Sequence, residues 1–442
     1  MSEGLAQDHA VQGVSGQAVR SPIATGWARI LPASWQDPAL QMRNADLLAV
    51  AVAATLPWST TPPAVLMVLW LIALIPTADP RALLRSLARP ACALPLAFFA
   101  LAVTGTLWSD SAWSARLHGI NPVSKLLALP LLLYHFERSQ RGLWVLVAFL
   151  VSCTLLMMLS WIVLVAPGLK VTVTANPGVP VKNYIDQSQE FALCLFALAP
   201  PALMFVRQRR FIWAAACAAL MLAFFANMMF AVSARTALVY MPVLLVLFAL
   251  LYLSARTTVL LLAAAVLAAV LVWFTSPYLR ERVGNIAVEY QGYQTNAVTS
   301  TAQRLEYWTK SLKFIGQAPV LGNGTGSTKE LFEREAVGQT GLLAEVIGNP
   351  HNQTLNVAVQ WGLLGCLILY AMWLSHLLLF RGVAAGSLAA WVGLIVVVQN
   401  VVSSLLNSHL FDFHEGWMYV LGVGVAGGMV LRARAAERGD VR

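Results

Sequence analysis

His351 stands in the string Asn349-Pro350-His351-Asn352-Gln353-Thr354-Leu355, where a long hydrophilic stretch gives way to a long apolar one. Pro350 suits a first helical position, which predicts His351 in the opening turn of a helix. Free backbone amides there favour an anion and disfavour a protonated imidazole. A neutral imidazole so placed has the chemistry of a general base near pH 7. The plainer reading is an interfacial histidine bonded to a loop carbonyl.

Arg235 is the second residue that stands out. Ser233-Ala234-Arg235-Thr236 is the whole polar break between two apolar stretches, and a guanidinium in so tight a turn pairs with a carboxylate such as Glu306, holds an anionic ligand, or meets lipid phosphate. A third cation, Arg304, opens a predicted helix in Gln303-Arg304-Leu305-Glu306-Tyr307-Trp308, whose apolar face is expected at Leu305, Trp308, Leu312 and Ile315. That helix ends near Pro319. Next comes Gly322-Asn323-Gly324-Thr325-Gly326-Ser327, where alternate glycines allow a tight turn whose amides can converge on one anion, or simply terminate the helix. No Gly-Lys-Ser/Thr follows, so it is not a Walker loop.

A further group lies inside apolar stretches. Lys182, Asp186 and Glu190 recur every four residues and are expected on one helix face, lining a cavity or pairing Lys182 with Asp186. Lys125 is a lone cation in another apolar stretch, and Arg116 lies nearby. His409, Asp412, His414 and Glu415 crowd one helix junction, but their spacing matches no standard zinc motif, and no metal is expected.

The elements that must position these groups follow from composition. Of the 442 residues 59% are hydrophobic and 11% charged, against roughly 25% charged in soluble domains. Hydrocarbon hydrogen-bonds nothing, so such a chain satisfies its backbone as helices or a closed barrel. Apolar runs of about 17–25 residues without strict alternation have the helix length. Twelve apolar windows are candidate helices, near 46–58, 62–78, 90–108, 121–136, 142–166, 184–206, 211–230, 236–254, 257–276, 352–380, 384–405 and 413–431, the first of them short and the fourth carrying Lys125. The expectation is an all-α polytopic membrane protein of about twelve spans.

Basic residues set its orientation. Most of the 29 fall in one set of segments, among them Arg20, Arg29, Arg43, Arg81, Arg85, Arg89, Arg207, Arg209, Arg210 and the basic end from Arg432 to Arg442. This predicts both termini in the cytoplasm: a loosely ordered tail over 1–44 without a cleaved signal peptide, helices over 45–276 and 351–431, and a basic tail over 432–442. The hydrophilic segment 277–350 is then periplasmic, and its equal numbers of acidic and basic residues and its periodicity favour order over disorder. The net charge of +9 reads as a topology signal and not as nucleic-acid binding. All five cysteines sit in apolar stretches without a Cys-x-x-Cys pair, as buried small hydrophobes do.

In order and spacing these pieces resemble the superfamily of O-antigen ligases and O-antigen polymerases. The matching positions are the Ser-x-Arg-Thr turn at 233–236, Arg304 and Trp308, and Pro319 with Gly322, Gly324 and Gly326. They continue with His351, Asn352 and Leu355, and with Gly362 and Gly365 downstream. The resemblance implies a fold like that of a GT-C-type glycosyltransferase in the bacterial inner membrane. It implies transfer of O-antigen polysaccharide from undecaprenyl diphosphate to a lipid A-core sugar hydroxyl, metal-independent, without a cofactor or nucleotide sugar. His351 would be the general base of an inverting displacement, Arg235 and Arg304 would bind the diphosphate, and two lipid substrates call for a site open sideways to the bilayer.

Lys125, Lys182, Arg116 and Asn352 are further candidate substrate-binding residues, though the family motif does not assign the three cations. A polymerase would use the same donor with a lipid-linked glycan as acceptor. A secondary transporter would instead use Asp186 and Glu190 for a coupling ion, but a structured segment between the ninth and tenth spans sits poorly with two transporter halves.

Overall fold

The computed structural model describes residues 37–174, 176–232, 234–294 and 298–439. The expected tail up to residue 36, with Arg20 and Arg29, lies outside the described residues, as do Ser233 and Arg442. The chain is an all-helical polytopic membrane protein, with no strand among the described residues.

Twelve α-helices occupy the twelve apolar windows or part of them. They are α1 (Pro38–Thr55), α2 (Thr61–Leu74), α4 (Pro90–Thr104), α5 (Trp113–Ser124) continued by α6 (Ala128–Arg138), α7 (Gly142–Val165), α8 (Tyr184–Arg207), α9 (Phe211–Phe230), α10 (Ala237–Tyr252), α11 (Ala255–Thr275), α15 (Gln353–Phe380), α16 (Leu388–Ser403) and α17 (Phe413–Glu437), the α5–α6 pair counting as one. Between them lie the short α3 (Pro80–Leu87) and three helices of the hydrophilic segment, α12 (Pro277–Gln294), α13 (Ser300–Gln317) and α14 (Ser327–Ala336). Seven of these helices are long and apolar enough to cross a membrane, α4 counting its continuation to Leu107, and 61–77, α10 and α16 are shorter apolar helices. Two windows differ from expectation. α1 starts at Pro38, because Asp37 caps the Ala39 and Leu40 amides at 2.9 and 3.3 Å, so the boundary expected at 44/45 falls inside a helix. The window around Lys125 is broken by a 3₁₀ turn, Lys125–Leu127.

The core centres on α17, 72% of whose apolar window is buried, whereas α11 buries only 6% of its own. α17 lies so close to α6 that a Cβ on Gly428 would meet the Glu137 amide and Leu133 carbonyl at 2.7 Å. Small residues permit such backbone approach where hydrocarbon supplies no hydrophobic drive between helices. At this end of the bundle the basic residues bond backbone carbonyls: Arg138 to Thr77 at 2.6 Å, Arg432 to Ser139 at 2.6 Å and Arg434 to Leu379 at 2.9 Å. A cation at a helix C-terminus such as that of α15 satisfies an orphan acceptor and the helix dipole together.

At the other end, α12–α14 pack on one another and on α15 and α5. The expected helix at Arg304 is present as α13, and of its expected apolar positions Trp308 and Ile315 pack against a small core. Ala302, Glu306, Tyr307, Lys310, Ser311 and Phe314 point inward, and Leu312 is 62% exposed. Tyr307, Phe314, Phe332 and Val359 form a small apolar core of their own, with a Glu306–Lys310 pair at 3.6 Å beside it. The segment is a packed layer on the bundle.

Candidate functional site

The glycine run is a strap threaded through a break in α15. Gly362 has φ +58° and ψ −151°, a conformation open almost only to glycine, and it interrupts the helix. The interruption frees carbonyls and amides inside an apolar helix, where each unpaired group is costly. The strap takes them up. Asn323 and Gly324 donate their amides to Val359 and Gln360 at 2.9 and 2.8 Å, while Leu363 and Leu364 donate to Pro319 and Val320 at 2.9 and 3.2 Å. Thr325 extends the lacing to α4: its amide reaches the Gly105 carbonyl at 3.0 Å, and its hydroxyl donates to Ala102 at 2.6 Å and accepts from Trp361 at 2.9 Å. Gly326 donates to the Gln360 carboxamide at 2.9 Å. The amides from Gly322 to Ser327 are thus all bonded within the protein. The converging anion cradle considered from the spacing is not what these glycines build. Their conformation admits backbone contact: a Cβ on Gly322 would run into the Gln360–Trp361 peptide, and one on Gly362 would lie 2.5 Å from the Val320 carbonyl.

Asn352, not Pro350, starts α15. Its side chain accepts the Leu355 amide at 3.0 Å and donates to the Leu405 carbonyl at 2.9 Å. His351 therefore precedes the helix and is not in its first turn as expected, and it adopts a left-handed φ of +54°. Two asparagines hold it there. The Asn349 carboxamide oxygen accepts the His351 amide at 2.9 Å and the Ser408 hydroxyl at 2.6 Å. The His351 Nδ1 lies 2.7 Å from the Asn407 Oδ1, in the link between α16 and α17. The half-buried imidazole is held below its usual pKa by loss of solvent; the Asn407 bond opposes this, and the nearby Arg304 charge adds to the lowering. Nε2 makes no hydrogen bond among the described residues. A neutral imidazole with one free nitrogen can accept a proton.

Arg304 on α13 is close enough for its charge to bear on both His351 and His409. Arg235 meets the start of the same helix: it contacts the Thr301 hydroxyl at 3.4 Å and forms a two-pronged bridge to Glu289 of α12, at 2.8 and 2.7 Å. Its carboxylate partner is thus Glu289 and not Glu306. Hydrogen bonds from Arg235, opposed by partial burial and aided by Thr301, pull Glu289 down to about 2. Arg235, Arg304 and His351 are gathered at the N-terminal end of α13, though they come from three separate parts of the chain.

The other candidates are spent on the protein. Lys125 donates to the Phe411 and Asp412 carbonyls at 2.9 and 2.5 Å, fastening the 3₁₀ turn to the start of α17. Arg116 bonds the Ser111 and Thr106 carbonyls at 2.6 and 2.9 Å and lies over Trp113. Lys182 is not on the face of α8 as expected, since Asn183 caps that helix; from φ +56° it reaches Glu190 at 2.7 Å and the Leu56 carbonyl at 3.1 Å. Asp186 pairs with His414 at 2.9 Å and not with Lys182. No group of three or more potential metal-ligating His, Cys, Asp or Glu residues occurs among the described residues.

An apolar cavity lined by Leu56, Phe149 and Cys194 adjoins a smaller one with polar side chains in its wall. They share Leu193, Val396 and Met418, and the polar one is lined by Gln189, Gln399 and Glu415 among others. Sequence reasoning missed Asn349, Asn407, Ser408 and Glu289. The polar break Asn407-Ser408-His409 between two apolar windows was the available signal for the second and third; Glu289 had none.

Residues 220–370 match the family model described as O-Antigen ligase, which supports the O-antigen ligase superfamily. The matched region contains Arg235, Arg304, the glycine strap, His351 and the α15 break, but not Asn407. No curated protein matches the chain.

Proposed function

We propose that this chain is an O-antigen ligase, transferring O-antigen polysaccharide from undecaprenyl diphosphate to a sugar hydroxyl of the lipid A-core. The observation that carries the reading is His351: an imidazole held below its usual pKa by burial, with Nδ1 engaged, Nε2 uncommitted, and two arginines gathered at the adjoining end of α13. The acceptor hydroxyl gives its proton to Nε2 as its oxygen bonds to the anomeric carbon. The bond from that carbon to the phosphate oxygen breaks, and its electron pair leaves on the diphosphate. One displacement from the opposite side inverts the anomeric centre.

Charge grows on the diphosphate as it departs, so fixed cations there stabilise the transition state more than the ground state. Arg304 serves this purpose beside the base. Arg235 reaches the donor by exchanging two carboxylate oxygens of Glu289 for two phosphate oxygens, which match its planar fork equally well. The diphosphate ester is already activated, so the reaction calls on no cofactor. The basic end of the bundle is assigned to the cytoplasm by the positive-inside bias and the α12–α14 layer to the periplasm of the inner membrane.

The test is lipopolysaccharide banding on a silver-stained gel from a ligase-deletion strain carrying wild type or His351→Ala, with expression checked. A ladder restored by wild type and lost in the variant supports ligation with a required His351. Bare core from well-expressed wild type, with compatible donor and acceptor present, defeats the ligase reading and moves the polymerase ahead of it.

A further inference from the structure

Asn407 lies outside the region matched by the family model, yet it makes the one hydrogen bond of the His351 ring among the described residues. Its orientation is fixed from the far side, because Oδ1 also accepts the Ser408 amide at 3.0 Å. An amide N–H can only donate, so the Asn407 atom facing both groups is an oxygen, and the ring nitrogen facing that oxygen must carry the proton. The neutral tautomer is thereby Nδ1–H, and the lone pair is on Nε2. Ser408 in turn donates its hydroxyl to Asn349, whose same oxygen accepts the His351 amide. The ring and its left-handed backbone are thus clamped from two sides through the 407–408 pair.

We propose that Asn407 is a positioning residue that fixes the proton-accepting tautomer of His351, and that its being a neutral carboxamide, where a carboxylate would also fit, keeps the base weak enough to be unprotonated in mildly acidic surroundings. This deepens the reading of His351 as base and rests on it for the kinetic consequence only. The groups facing the ring are of mixed kind: Arg304 and Tyr307 from α13, with the Tyr307 ring centre 6.2 Å away, and Asn407 and the buried His409 from the α16–α17 link. Arg304 is the only full charge among these. A carboxylate at 407 would add an opposite charge at hydrogen-bond distance, which moves a pKa by about 1–3 units.

The experiment compares wild type, Asn407→Asp and Asn407→Ala as full-length purified protein, by two readouts. The first is the pH dependence of carbethoxylation of the His351 peptide by diethylpyrocarbonate, followed by mass spectrometry; it needs no turnover and reads the fraction of neutral imidazole. Asn407→Asp shifts the midpoint up by about 1–3 units; an unshifted midpoint in folded protein overturns the proposal, whatever the protein catalyses. The second is transfer rate against pH. Asn407→Asp moves the acid limb of the rate up with the raised midpoint. Asn407→Ala lowers kcat about 10-fold or more with little change in donor KM, as loss of orientation does. A wild-type kcat in Asn407→Ala overturns the positioning role. Absence of transfer by the wild type, with the carbethoxylation shift present, strikes the ligase reading and leaves the Asn407 clamp standing.

Discussion

The glycine strap and the His351 corner belong to one hydrophilic segment and meet the same helix, α15, yet they use polar atoms in opposite ways. Along the strap the backbone groups freed at Gly362 are answered by partners in the protein, because an unanswered amide at a helix break in an apolar setting is costly. At His351 the amide is engaged by Asn349 and Nδ1 by Asn407, with Nε2 left over. The contrast separates two kinds of motif residue. A group whose partners are all internal builds the frame, and a group with one valence withheld inside a well-bonded frame is a candidate for chemistry.

The comparison breaks most visibly at the strap. Gly362→Val places a β-branched side chain at φ +58° against the Val320 carbonyl, and overpacking plus the left-handed penalty cost about 3 kcal/mol or more. The expected outcome is little folded protein, read as loss of a monodisperse peak on size exclusion in detergent; a well-behaved variant with ordinary thermal stability would remove the strap from the frame. His351→Asn is the opposite case. Asparagine tolerates the left-handed region, so the midpoint of thermal unfolding should hold while transfer falls about 10²–10⁴-fold, the usual worth of a general base.

Arg304→Ala tests whether the charge beside the ring belongs to the site: about 10²-fold lower kcat is expected, with Arg304→Lys recovering only part of it, since an ammonium lacks the planar fork. A smaller effect distinguishes Arg235. Glu289→Gln replaces the two-pronged partner by a neutral one and should lower the donor KM several-fold at low salt, provided α12 keeps its place; a raised KM would make Glu289 an aid to binding and not a competitor. Finally, the wild-type acid limb should fall below the ordinary histidine range near 6.5, because burial favours the neutral, proton-accepting form. Activity is then present above the depressed pKa and lost as the pH drops through it, and an inflection above 6.5 would contradict that burial.

Much of this was legible residue by residue. The length of the apolar runs gave helices in all twelve windows, and the Trp308-bearing helix and the breaks at Arg235 and Pro350 were visible as local composition. The face of α13 was legible at Trp308 and Ile315 but not at Leu312, which lies exposed while Tyr307 and Phe314 fill the small core with Phe332, a partner contributed by α14. The glycine run left an anion cradle and a plain helix-ending turn both open, because spacing shows where amides converge but not that a broken helix elsewhere has already claimed them. The four-residue spacing puts Lys182 on a face with Asp186, but Asn183 sets the helix start after it.

What the sequence determined by itself was the class of molecule and the identity of the reactive types. Hydrocarbon imposes helices on any long apolar run, and the side-chain inventory fixes that only histidine among these candidates changes charge near neutral pH. What only the tertiary structure decided was allocation: Glu289 to Arg235, His414 to Asp186, Asn407 to His351. Each pairing depends on where separate helices come to rest against one another. A side chain's chemistry is local, but which of its hydrogen bonds remains unspent is a property of the whole fold.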